Sequence, residues 1–270
     1  MKVTKKMMIQ GLLIFSICLS GVFLYGFSHA INSVLNPKED GTLQTNETPK
    51  SEVNTNLEKL TLVGLGDSLT RGIGDESGEG YFNKTKNKLA AELNLEMAIT
   101  NLAVSGATTT DLLQVLEQKG AQHSIESADI ILLTIGANDL SPGMTNISIE
   151  ELASFQADPQ EFIVAAKEIL DQLIEINPEA DIYWIGLYNP FEYIEEFKDS
   201  SKFIISWNYA LEQVVNDYPN AKVIPAYDLF IGKGTSYLST DQYHPNSLGY
   251  QAIADRVSET ILLDRKAGEK

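Results

Sequence analysis

Ile130-Ile131-Leu132-Leu133-Thr134-Ile135 is apolar except for one threonine, and it breaks at Gly136-Ala137-Asn138-Asp139. A short run with no polar face is a strand buried on both sides, as at the centre of a parallel sheet. Upstream, Leu60-Thr61-Leu62-Val63-Gly64-Leu65 and Met97-Ala98-Ile99-Thr100-Asn101-Leu102 read as two further strands. Downstream come Ile182-Tyr183-Trp184-Ile185-Gly186-Leu187 and the short Lys222-Val223-Ile224-Pro225, whose proline favours an edge or a strand end. Amphipathic stretches separate them: Tyr81–Leu93, Thr109–Lys119, Pro159–Ile176, Phe203–Tyr218 and Ser247–Leu263. Strands alternating with helices predict an α/β fold, a five-stranded parallel sheet with helices on both faces. Sites in such sheets form at the carboxyl ends of the strands.

Those ends carry a consistent set of groups. Strand one runs into Gly66-Asp67-Ser68-Leu69-Thr70, a strand-to-turn transition ahead of a helix. After strand two comes Ala103-Val104-Ser105-Gly106-Ala107, and after strand three Gly136-Ala137-Asn138-Asp139. Beyond strand five, before the last helix, lies Asp241-Gln242-Tyr243-His244-Pro245. A serine needs a base within hydrogen-bonding reach to act as a nucleophile, and histidine suits that task. The chain has only three histidines, His29, His123 and His244, which narrows the choice. His123 lies in a polar stretch and is expected to face solvent. Asp241, three residues before His244, is placed to orient its ring. Gly106 leaves its N–H open to approach, and the Asn138 amide is a suitable oxyanion donor. Asp67 reads as a turn or helix-start residue and Asp139 as a structural hydrogen-bonder.

The four segments, in this order, resemble the SGNH hydrolases, also called GDSL esterases and lipases. The resemblance spans about Leu60 to Leu262 and rests on Gly66-Asp67-Ser68-Leu69, Gly106, Gly136-Ala137-Asn138-Asp139 and Asp241 to His244. It implies a flavodoxin-like three-layer α/β/α sandwich. It also implies Ser68 as nucleophile, His244 as base, Asp241 as its orienter, and an oxyanion hole of the Ser68 and Gly106 N–H groups with the Asn138 amide. More narrowly, the chain looks like the membrane-anchored extracellular lipase/esterases of Gram-positive bacteria. The implied activity is hydrolysis of carboxylic esters through an acyl-enzyme, with neither metal nor organic cofactor.

The rest of the sequence bounds the partners. Of 270 residues, 20 are Lys or Arg and 37 are Asp or Glu, a formal charge of -17. A surface this acidic repels phosphate backbones and argues against nucleic acid. Cys18 is the only cysteine, so no internal disulfide or cysteine cage forms. Lys2, Lys5 and Lys6 precede a mostly apolar run from Met7 to Phe27, long enough for a membrane-spanning helix with a cytoplasmic start. Residues 1–31 are therefore read as a signal-anchor, although Ser28-His29-Ala30 offers a cleavage pattern that would release the chain after Ala30. Residues 32–59 are polar and broken by Pro37, Gly41 and Pro49. As a flexible tether of about 25 residues they would span on the order of 25–30 Å. The catalytic domain is then 60–264, outside the cytoplasm, with 265–270 as a tail.

Two longer connections remain, 140–158 with a candidate helix at Ile149–Phe155, and the aromatic-rich 188–201. Phe191 and Phe197 in the second are candidates for an acyl-binding wall or lid. The ester is then a lipid, a small acyl ester or an acetylated glycan, the last making the protein a cell-wall carbohydrate O-deacetylase. A catalytically silent surface binding module is the reading from another class. Nucleotide binding fails, because Gly64-Leu65-Gly66 begins a Gly-x-Gly-x-x-Gly pattern but Leu69 stands where its third glycine belongs.

Overall fold

The computed structural model describes residues 59–140, 159–197 and 200–268. The segments read as an anchor (1–31) and all but the last residue of the tether (32–59) lie outside the described residues, as does the expected helix at Ile149–Phe155. No helix among the described residues is long and apolar enough to cross a membrane.

Five parallel strands, β1 (Lys59–Gly66), β2 (Glu96–Asn101), β3 (Ile130–Thr134), β4 (Asp181–Ile185) and β5 (Ala221–Ile224), form one sheet in the order β2-β1-β3-β4-β5. This is the flavodoxin-like order, in which the chain reverses direction between β1 and β3. The run read at 130–135 forms the central strand over Ile130–Thr134, buried at every position. Pro225 follows β5, which is an edge.

Strand alternation sorts the side chains into two cores. Val63, Leu65, Ile131, Leu133, Ile182 and Trp184 point to one face. There they meet residues of α3 (Thr109–Leu116), α4 (Lys119–Glu126), α6 (Gln160–Ile176) and α7 (Ser200–Val215). Leu62, Ile130, Leu132, Tyr183, Ile185 and Ile224 point to the other. That face is covered by α2 (Gly80–Leu93), α8 (Tyr227–Phe230) and α9 (Ser247–Gly268), with α9 packed on α2. Two four-residue helices, α1 (Ser68–Arg71) and α5 (Ala137–Leu140), follow β1 and β3.

Two helices differ from the sequence reading. The stretch from Thr109 stops at Leu116, and a separate α4 follows at Lys119–Glu126. Its Ala121 and Ile125, one turn apart, are both buried, while His123 between them is solvent-exposed as expected. α9 continues to Gly268, past the apolar periodicity that ends at Leu263 and through residues 265–268 read as tail. Arg265 and Lys266 in its last turn complement the negative end of the helix dipole.

Candidate active site

β1 ends where Gly66 adopts φ +113, and a Cβ there would lie 1.7 Å from the Thr134 carbonyl oxygen. Only glycine lets β1 and β3 run this close at their carboxyl ends. Asp67 then caps α1, accepting from the Leu69 N–H at 3.0 Å. Ser68 is the first residue of α1, where a backbone N–H has no intrahelical acceptor.

The last loop delivers the partners. Ser68 Oγ lies 2.8 Å from His244 Nε2, and His244 Nδ1 lies 2.7 Å from Asp241 Oδ2. Asp241 Oδ1 accepts from Ser239 Oγ at 2.6 Å and from the Tyr243 and His244 N–H groups at 2.9 Å each. Desolvation pulls the Asp241 carboxyl upward. The bonds from Ser239, His244 and the two backbone amides outweigh it and hold the pKa at about 2. An ionised Asp241 accepts the hydrogen bond of Nδ1–H, which keeps the proton on Nδ1 and leaves Nε2 as the acceptor for the serine hydroxyl. The opposite side of the turn is backed by Gly74, where a Cβ would fall 2.8 Å from that of His244.

Gly106 sits on an exposed turn at φ +81 with open space where a side chain would project. Asn138, in α5, donates from Nδ2 to the Ala107 carbonyl at 2.8 Å, so one amide proton fastens the glycine turn and the second remains to point elsewhere. Asp139 accepts from the Thr109 N–H at 3.0 Å, tying α5 to the start of α3. Burial raises the Asp139 carboxyl against the opposing bonds from Thr109.

Ser68, Asn138 and His244 open onto one pocket whose wall includes Leu140, Ile185, Leu187, Phe191, Phe203 and Ile204. Of the two aromatic candidates, Phe191 lines this pocket. Phe197 does not; its ring sits 5.5 Å from that of Phe191 and backs it. Gly106 also lies outside the pocket lining. Among the described residues no group of three or more His, Cys, Asp or Glu is arranged to hold a metal ion.

Asp67, which the sequence marks only as a turn or helix-start residue, does more than cap α1. Thr134 Oγ1 donates to Asp67 Oδ1 at 2.8 Å. With its proton so used, Thr134 accepts from Thr70 Oγ1 at 2.7 Å, and Thr70 accepts from the Tyr81 hydroxyl at 2.6 Å. Asp67, Thr134, Thr70 and Tyr81 are all buried. Burial pushes the Asp67 carboxyl up, the Leu69 and Thr134 bonds pull against it, and the balance is about 6. The signal in the sequence was Thr134 itself, the one polar residue in the central strand.

A parallel α/β sheet with a serine, a histidine and an aspartate in hydrogen-bonded sequence at its carboxyl edge defines a class of hydrolases. The model of the GDSL-like lipase/acylhydrolase family matches residues 65–252, and the chain belongs to that family. It is 31% identical over 209 residues to the uncharacterized protein YpmR of Bacillus subtilis, covering 76% of this chain and 82% of that one. It is 32% identical over 210 residues to the spore germination lipase LipC of Bacillus licheniformis, covering 73% and 94%. Among solved structures, the lipase Lip_vut3 from a goat rumen metagenome superposes with a TM-score of 0.62 at 31% identity, covering 74% of this chain and 96% of that one.

Proposed function

We propose that this chain is an extracytoplasmic serine esterase or lipase that hydrolyses carboxylic esters through an acyl-enzyme. The observation that carries the reading is the hydrogen-bonded line Ser68–His244–Asp241 opening onto a largely apolar pocket. Ser68 Oγ attacks the ester carbonyl while His244 Nε2 takes its proton, and Asp241 steadies the resulting imidazolium. The oxyanion is received by the Ser68 and Gly106 N–H groups and the free Asn138 amide proton. Collapse expels the alcohol, which takes the proton from His244. Water then attacks the acyl-serine by the reverse arrangement, releasing the acid and restoring Ser68.

An apolar wall beside Ser68 favours an acyl chain over a polyhydroxylated sugar, whose hydroxyls would be buried without partners there. The expected preference is therefore for fatty-acyl esters over acetylated glycans. The test is hydrolysis of p-nitrophenyl esters from acetate to palmitate, with acetylated xylan alongside, by the chain and its Ser68→Ala variant. Activity should peak at an intermediate or long acyl chain and fall by at least about 10³-fold in Ser68→Ala. Activity surviving in the variant would overturn the nucleophile. Turnover of the glycan alone would replace the lipase reading with the deacetylase, and a wild type silent on every ester would favour the binding module. For location, we infer from the basic flank and apolar run at 1–31 that the domain is tethered outside the cytoplasm.

A further inference from the structure

The segment after β4 does more than wall the pocket. Tyr188 lines it with its ring, yet its hydroxyl donates to the Tyr243 carbonyl at 2.6 Å, one residue from His244. Tyr193, five residues on, donates its hydroxyl to Gln242 Oε1, also at 2.6 Å. Gln242 holds φ +55, a left-handed conformation that a side chain rarely adopts without external support. Phe191 lies 6.0 Å from the Tyr243 ring, which in turn meets the His244 ring edge-on at 5.0 Å. The turn carrying His244 is therefore gripped at Gln242 and Tyr243 by residues of one neighbouring segment.

That segment is itself fixed. The Tyr188 ring stacks on Phe230 of α8, centroids 4.1 Å apart. Asn189 donates to Ser200 Oγ and Ser201 Oγ at the start of α7 and accepts the Phe191 N–H at 3.0 Å. Burial raises the Tyr188 hydroxyl well above its ordinary value, so it stays a donor through the working pH range.

Resting on the hydrolase reading above, we propose that Tyr188 and Tyr193 are positioning residues for His244, and that segment 188–193 makes acyl-pocket wall and base support one piece. An acyl chain lying against Tyr188 and Phe191 presses on the strap that aligns the imidazole. Contacts remote from the ester then act on the chemical step as well as on binding.

The experiment is steady-state kinetics of the chain, Tyr188→Phe and Tyr193→Phe on p-nitrophenyl acetate and octanoate. Phenylalanine keeps the ring of Tyr188 in the pocket and removes only the hydroxyl. Tyr188→Phe should lose about 10- to 100-fold in kcat with KM for octanoate within about twofold, because a misaligned base slows the chemical step without touching the apolar wall. Tyr193, partly exposed, keeps the test alive if Tyr188→Phe does not fold, and Tyr193→Phe should lose about two- to fivefold in kcat at constant KM. Unchanged kcat in the variants that fold, or a loss carried wholly by KM, would overturn the strap. A wild type without Ser68-dependent activity would instead overturn the hydrolase reading beneath it.

Discussion

Asp67 precedes Ser68 and is almost fully buried, at 4% exposure, among Thr134, Thr70 and Tyr81. Its neighbours in the field are His244 on the last loop, Asp139 on α5, Tyr81 on α2, and the hydroxyls of Tyr188, Tyr243 and Tyr250. Burial dominates and lifts its carboxyl from 3.8 to about 6. Between those values the folded chain holds a proton that the unfolded chain has lost, so this residue's contribution to stability falls as pH rises through that window. Above about pH 6 the penalty is complete and on the order of 2–3 kcal/mol. Asp67→Asn keeps an oxygen to accept from Leu69 and Thr134 but cannot ionise. Thermal unfolding should show the variant close to wild type at pH 4 and several degrees more stable at pH 7. Equal melting temperatures at both pH values would mean that the carboxyl is not desolvated as the geometry implies.

At the scale of elements, the segment from Tyr188 to Phe197 divides its aromatics between two tasks. Phe191 meets the pocket, and Phe197 only supports Phe191 from behind. Phe191→Ala should raise KM for p-nitrophenyl octanoate about tenfold or more and leave acetate nearly unaffected, since acetate has no methylene groups to bury against that ring. Phe197→Ala should shift octanoate two- to threefold at most; a larger effect from Phe197 than from Phe191 would reverse the assignment. The strands were legible because they are short apolar runs, the central ones buried on both faces, and the long helices because their burial follows a 3.6-residue period. That Ser68, Asp241 and His244 would come together was legible from their order and spacing after strands one and five. The division of labour between Phe191 and Phe197 was not, since a turn has no period from which to read which ring faces inward. Nor were the bonds from Tyr188 and Tyr193, which join segments 49 or more positions apart in sequence.

At the scale of the whole molecule, the site lies at the carboxyl ends of β1 and β3, where the strand order reverses, so the serine, the amide and the last loop converge on one edge of the sheet. Nothing in that geometry needs a membrane, and the proposed location rests on a separate part of the chain. Three lysines before the run Met7–Phe27 favour a cytoplasmic N-terminus, which would leave everything after the run on the other side. A chain of charge -17 gains no attraction from an anionic membrane surface, so insertion of the apolar run rather than electrostatics would keep it there. A fluorescent phosphonate that cannot cross membranes distinguishes the possibilities, because it marks an activated serine only where it can reach it. Applied to intact cells expressing the chain, it should label a membrane-associated band of full length, absent in Ser68→Ala. A shorter labelled band in the medium would mean cleavage after Ala30 and a secreted enzyme. Labelling that appears only after lysis would place the domain in the cytoplasm and overturn the anchor's orientation, while leaving the chemistry at Ser68 intact.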